Sequence, residues 1–251
     1  MAILYIVGTP IGNLEDISQR ALRILSEVDL ILAEDTRVTK KLLNYYGIRT
    51  PTLSYHQHSK LKKVNYIIQL LKEGKPRTRA KPSARAEHGA GPVPNRNEVS
   101  GTGNLALVSD AGTPGISDPG GKLISATTKQ CSNVAIVPIP GPSAVTTAAS
   151  ISGFPMEKFL FLGFPPTKRK RKKFFEEVAK SKYPVIFYES PYRIIKTLEE
   201  LRLATGDERQ AVICRELTKK FETIYRGKIE EVIKKIEKDK IKGEFVVIVG
   251  K

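Results

Sequence analysis

At 251 residues the chain has room for one large domain or two of roughly 100–150 residues each. Its apolar share of 40% suffices for an ordinary core. Lys and Arg outnumber Asp and Glu by 42 to 26, a formal charge of +16, so the expected partner is anionic, nucleic acid ahead of a membrane surface. Cys131 and Cys214 stand in no disulfide framework and no metal spacing; they read as small buried hydrophobes in a reducing cytosol. No run approaches the ~20 apolar residues of a membrane span. The apolar start has no basic leader and breaks at Gly8 and Pro10, which excludes a signal peptide and points to an intracellular protein.

In chain order, Ile3–Val7 reads as a buried strand followed by a turn over 8–13. Asp16 is placed to cap a helix whose Ile17, Ala21, Leu22, Ile24, Leu25 and Val28 share one face. A strand at Leu30–Ala33, a helix at Val38–Tyr46 ended by Gly47 and a short strand near Leu53 come next. Leu61, Val64, Ile67, Ile68 and Leu71 then repeat at helical spacing. Strands at Leu105–Ser109 and Val134–Val137 flank a short helix at Pro119–Thr128. This alternation predicts an α/β layer with a largely parallel sheet over 1–142.

The stretch 76–104 has no aromatic residue and almost no large aliphatic one, so it reads as a flexible insertion too polar to offset its ordering entropy. It holds five cations and two carboxylates, so most of the positive surplus lies elsewhere. Pro138–Pro142 leads into the small-residue run Ser143–Ser150, read as a helix at the junction with a second, mixed α/β domain over 143–251. There the pattern predicts strands at Phe159–Leu162, Val185–Tyr188, Ala211–Cys214, Phe221–Tyr225 and Glu244–Val249, some of them antiparallel. Helices are expected at Lys168–Lys180, Tyr192–Leu201 and near Ile229–Ile236.

Three glycine–proline turns follow apolar strands, at 8–13, 110–121 and 140–143. Glycine lets backbone approach a ligand and proline fixes a loop before binding, so three such turns beyond strand ends point to a ligand site. None is a phosphate loop or a dinucleotide fingerprint, which argues against a nucleoside triphosphatase.

The same turns carry a resemblance. Val7-Gly-Thr-Pro-Ile-Gly-Asn-Leu-Glu-Asp16, Ala33-Glu-Asp-Thr-Arg37, Val108-Ser-Asp-Ala-Gly-Thr-Pro-Gly-Ile-Ser-Asp-Pro-Gly120 and Pro140-Gly-Pro-Ser-Ala144 resemble the ribosomal small subunit methyltransferase I family of the tetrapyrrole methylase superfamily. Phe161-Leu-Gly-Phe-Pro165, Tyr188-Glu-Ser-Pro-Tyr-Arg193, Arg215-Glu-Leu-Thr218, Arg226-Gly227 and Lys242-Gly-Glu244 follow in the expected order. The resemblance implies two α/β domains of the tetrapyrrole methylase type with a cleft between them for S-adenosylmethionine, in a homodimer. It implies 2′-O-methylation of a cytidine ribose in the decoding region of 16S ribosomal RNA, within the small ribosomal subunit. By motif position it implies cofactor contacts at Gly8, Pro10, Asp110, Gly112, Ile116, Ser143, Ala144, Tyr188, Glu216 and Glu244. The alternative keeps fold and cofactor but takes a tetrapyrrole or another small acceptor, for which so basic a chain is not needed.

Glu34, Asp35 and Arg37 follow a strand end and are candidates for substrate-side catalytic roles, since a ribose hydroxyl gains from a general base or a charge contact. The competing reading makes Asp35 a helix cap with Arg37 on the surface. Glu189 is a second carboxylate candidate. Lys168, Arg169, Lys170, Arg171, Lys172 and Lys173 are six consecutive cations that suit RNA phosphates or a solvated helix face. Tyr45, Tyr46 and Tyr55 read as core aromatics with base stacking as the alternative. His56-x-His58 lacks a third ligand, and no metal is expected. The chain departs from the family at Ser59 and Lys60, where Asn and Glu are usual, and in the insertion itself. It ends at Lys251 without the further module some members carry, which leaves RNA affinity to the dimer and the basic helix.

Overall fold

The computed structural model describes residues 1–57, 59, 61–73 and 103–251. The expected insertion therefore lies outside the described residues except for Gly103 and Asn104, as do His58 and Lys60. Asn104 belongs to the fold: its Oδ1 accepts from the Ile3 amide at 2.9 Å and its own amide donates to Asp29 at 3.0 Å. The described residues divide into two compact units, 1–9 with 18–140, and 10–17 with 141–251. The division falls two residues before the expected one, and the segment after the first strand groups with the second unit.

The first unit holds β1 (Ala2–Val7), β2 (Leu30–Ala33), β3 (Thr52–Ser54), β4 (Leu105–Val108) and β5 (Val134–Ile139) in one sheet, ordered β3-β2-β4-β1-β5 and parallel throughout. The connections through α1 (Gln19–Glu27) and α2 (Thr36–Tyr45) step one way across the sheet; those through α3 (Leu61–Glu73) and α4 (Gly121–Gln130) step the other. Right-handed crossovers then place the two helix pairs on opposite faces. The core agrees: Val64, Ile67 and Leu71 of α3 and Leu123 of α4 pack with Leu4, Leu30, Leu32, Leu105 and Leu107. The alternate residues Ile31, Ala33 and Ala106 are buried as well, as a sheet covered on both faces requires. Ser18, not Asp16, caps α1, its Oγ accepting from the Ala21 amide at 3.1 Å; Asp16 is spent in a tight turn over Leu14–Asp16.

In the second unit β6 (Leu160–Phe161), β7 (Val185–Glu189), β10 (Phe245–Val249), β8 (Gln210–Arg215) and β9 (Thr223–Lys228) form a mixed sheet in that order, only the β6–β7 pair being parallel. One face, with Phe187, Ile213, Phe245 and Val247, packs with α6 (Arg171–Lys180), α7 (Ile194–Thr205) and α8 (Ile229–Glu237). The other face, with Ile186, Val212, Cys214 and Val246, takes α5 (Ala144–Ser150) and Ile11. Both cysteines are buried. The basic helix begins at Arg171 rather than Lys168, because Lys170 sits in the left-handed region (φ 66°, ψ 4°), which no right-handed helix includes.

Candidate functional site

In the first unit β1 and β4 are neighbours whose outgoing connections leave towards opposite faces. That is a topological switch point, where open parallel sheets bind ligands beyond their strand ends. The two loops there are the expected ones. Thr9 and Gly112 exchange backbone hydrogen bonds of 2.9 and 3.0 Å, and the Thr9 hydroxyl donates to Ser109 O at 3.3 Å. Gly112 has φ 82°, a conformation that a side chain would resist, so this residue type is what lets the long loop fold back onto the first turn. The Gly8 amide is tied to Ile139 O at 3.1 Å, and Ile116, 46% exposed, stands out of the loop.

Glu34, Asp35 and Asp110 meet at the ends of β2 and β4, paired strands in which Ala33 faces Val108. Asp110 Oδ1 accepts from the Asp35 amide at 2.8 Å, and the Asp110 amide donates to Glu34 Oε2 at 3.4 Å. Burial pushes the Glu34 carboxyl above its ordinary range; the Asp110 amide opposes this and the Asp110 charge adds to it. Burial raises Asp110 too, against the Asp35 amide bond. Asp35 goes the other way: hydrogen bonds from the Arg37 side chain and amide lower it to about 2. It caps α2, with Arg37 Nη2 at 2.6 Å from its carboxylate and the Arg37 side chain 87% exposed. The cap reading of this pair therefore describes what they do locally.

In the second unit, Phe245 pairs with Glu189 on one side and Arg215 on the other, so Tyr188, Glu216 and Glu244 gather at one end of the sheet. Glu216 and Glu244 are held by a residue the sequence did not single out. Lys219 Nζ lies 3.0 Å from Glu216 and 2.8 Å from Glu244, and Glu216 Oε1 also accepts from the Glu244 amide at 2.9 Å. Burial works against the Glu216 charge, yet the Glu244 amide and Lys219 outweigh it and hold the carboxyl low. Only the i, i+3 spacing of Glu216 and Lys219 hinted at this in the sequence. Pro10 lies in the segment carrying Gly12, where an added Cβ would come 2.4 Å from Lys219 Cγ, so the chain passes tightly over this cluster. Ser143 and Ala144 open α5. Tyr188 packs edge-on against Phe161 at 5.1 Å.

Glu189 is a correction to the sequence reading. Its side chain is fully buried, accepting from the Ser190 amide and the Thr197 hydroxyl at 2.7 Å each and pairing with Arg193 at 2.8 Å. Arg171 enters the same network, donating to Thr197 Oγ1 at 2.6 Å, to Glu200 at 2.5 Å and to Pro166 O at 3.1 Å. It is therefore an internal anchor, unlike the exposed Lys168, Arg169, Lys170, Lys172 and Lys173 around it. Of the tyrosines, Tyr55 is core at 3% exposure, whereas Tyr45 is 62% exposed and meets Tyr46 edge-on at 4.9 Å. Among the described residues no helix is long and apolar enough to cross a membrane, and no group of three or more His, Cys, Asp or Glu could hold a metal ion.

The profile of the family described as Tetrapyrrole (Corrin/Porphyrin) Methylases matches residues 3–233. The chain is 43% identical over 250 residues to a Ribosomal RNA small subunit methyltransferase I of Thermotoga maritima, covering 100% of this chain and 99% of the relative. It is 44% identical over 247 residues to the protein of that name from Halalkalibacterium halodurans, covering 98% and 75%. Among solved structures it is similar to a cobalt precorrin-4 methyltransferase of cobalamin biosynthesis, with TM-score 0.64 at 17% identity over 99% of this chain and 94% of the other. It is also similar to a uroporphyrin-III-C-methyltransferase of Thermus thermophilus, with TM-score 0.61 at 14% identity over 99% and 94%. At such identities these two speak for the fold alone.

Proposed function

Because the chain belongs to the tetrapyrrole methylase superfamily and, within it, to the ribosomal RNA small subunit methyltransferase I family, we propose that it transfers a methyl group from S-adenosylmethionine to the ribose 2′-oxygen of a cytidine in the decoding region of 16S ribosomal RNA. The observation that carries this reading is the similarity along the whole chain to a relative of that name. Action as a homodimer in the cytoplasm, on RNA within the small ribosomal subunit, belongs to the same proposal.

The first unit's loops fit such a cofactor. Asp110 offers a carboxylate for hydroxyl or ammonium groups, the backbone at Gly8 and Gly112 allows close approach, and Ile116 supplies an apolar wall. S-adenosylmethionine, when bound, supplies a methyl group made electrophilic by its sulfonium. The protein's part is then to align the acceptor and to take its proton. Glu34 is the residue we assign to that proton: burial raises its pKa towards the range in which a carboxylate is an effective base. Arg37 lies close by, its exposed guanidinium suited to a phosphate. Lys168, Arg169, Lys170, Lys172 and Lys173 would hold RNA phosphates further along the strand.

The test is transfer of labelled methyl from S-adenosylmethionine to small subunits lacking the modification, followed by alkaline hydrolysis of the RNA. Label in an alkali-resistant dinucleotide is expected, because a 2′-O-methyl blocks cleavage at the adjoining phosphodiester. Label in mononucleotides would overturn the ribose assignment. Label absent from RNA but present on an added tetrapyrrole would overturn the RNA substrate.

A further inference from the structure

Large aromatic side chains held in water expose apolar surface at a cost, and a solitary one needs no explanation. Two in the second unit are not solitary. Tyr192 is 95% exposed at the turn after β7, and Phe164 is 54% exposed at the turn after β6. The β6–β7 pair is parallel, so both turns leave the same end of the sheet. They are also bonded together: the Tyr188 amide donates to Gly163 O at 2.8 Å, and Arg193 donates to Pro165 O at 3.4 Å. Arg171 donates to Pro166 O, which ties in the start of α6. Arg193 and Arg171 join these turns to a network with Glu189, Thr197 and Glu200, of which Glu189 and Thr197 are buried. Phe164 rests on the Tyr188 ring, centroids 5.3 Å apart. The turns that carry the rings are thus fixed before a ligand arrives.

The exposed cations Lys168, Arg169 and Lys170 follow directly, and from Gly163 to Lys173 there is no Asp or Glu. We propose that Tyr192 and Phe164 are a stacking platform for unpaired bases of the RNA, bordered by the Lys168–Lys170 cations that hold its phosphates. The inference rests on the ribosomal RNA reading above. Aromatic faces set beside a run of positive charge are how single strands are held: bases stack on the rings, whatever their sequence, and the cations take the phosphates. Arg171 serves here as a positioning residue, since its guanidinium is spent on joining the turn to α7.

The experiment is fluorescence anisotropy of a labelled, unstructured, cytidine-containing RNA 12-mer with the full chain at several salt concentrations. Tyr192→Ala should weaken binding about tenfold with an unchanged salt slope, because stacking releases no counterions. Tyr192→Phe should restore it, and Phe164→Ala should weaken it less. Lys168→Ala with Lys170→Ala should lower the slope instead. Unchanged affinity of a normally melting Tyr192→Ala would overturn the proposal. So would a change of mass by light scattering at intact RNA affinity, which would make the rings a contact between copies. Loss of binding to phosphatidylserine vesicles at intact RNA affinity would likewise overturn it. Methyl transfer by the unmodified chain to small subunits runs in parallel. Absence of label there ends the ribosomal reading, whereas label with unaltered Tyr192→Ala binding ends only the stacking platform.

Discussion

Glu34 and Asp110 in the first unit, and Glu189 and Glu216 in the second, are four carboxylates at or beside strand ends, and their surroundings divide them. Glu189 has Arg193 at 2.8 Å and Glu216 has Lys219 at 3.0 Å, so each is a fixed negative charge that holds chain segments together. Glu34 and Asp110 receive backbone amides and face each other, and burial raises both. A carboxylate given a cation is a tie. A carboxylate bonded chiefly by amides, whose charged form is disfavoured by desolvation, is suited to take up a proton or to make a polar ligand contact.

The sharpest way to break this comparison is Glu34→Gln. It should lower kcat about 10²–10⁴-fold. The rise of kcat/KM with pH in the unmodified enzyme, through a pKa above 4.5, should vanish from the variant's profile. A variant within threefold of the original would remove Glu34 from the chemistry. On the other side, Glu189→Ala takes the counter-charge from the partly exposed Arg193 and the acceptor from the Thr197 hydroxyl, and should cost about 1–3 kcal/mol in urea unfolding. A loss below 1 kcal/mol, about the value of a surface pair, would mean Glu189 is no tie at all.

Asp110→Asn separates charge from shape, since Asn still offers an oxygen to the Asp35 amide. Cofactor affinity by calorimetry should fall about tenfold or more, as for a charged hydrogen bond. Stability should go the opposite way. A carboxyl whose folded pKa is raised penalises the fold once pH climbs through its unfolded value, and most above its folded one. Removing the charge at pH 7 should therefore leave the melting temperature equal or higher, whereas a clear drop would contradict the raised pKa. The smallest effect concerns the basic run: reversing Lys170 and Lys172 should weaken RNA binding and reduce the salt slope by about 0.7 per lost phosphate contact. An unchanged slope would make those lysines a solvated face.

Much of the chain could be read directly. Leu30–Ala33 and Leu105–Val108 are apolar throughout because a sheet covered on both faces demands it, so their limits are visible as runs. Asp35 reads as a cap because its side chain competes for the amide two residues on. The long aspartate–glycine loop marks itself by residues that only a bent, exposed backbone needs. Where reading fails, the deciding feature is a turn or a partner that periodicity does not show. Ser18 displaces Asp16 as the cap of α1 because the chain first turns over 14–16, and Lys170 is forced out of α6 while Arg171 reaches across to Glu200 and Thr197.

The sequence by itself determined the parallel sheet of the first unit, the mixed sheet of the second, the family and the loops proposed to carry the ligand chemistry. All of these depend on short-range patterns of burial and turn geometry. Only the tertiary structure decided which charges are ties and which remain available. It buried Glu189, spent Arg171 and gave Lys219 to Glu216, while leaving Glu34 beside Asp110 and Tyr192 in water. A charge's role depends on the dielectric and the counter-charge within a few ångströms; some of those neighbours are local, as Arg193 is to Glu189 and Lys219 to Glu216, while others come from segments 25 to 76 residues away along the chain.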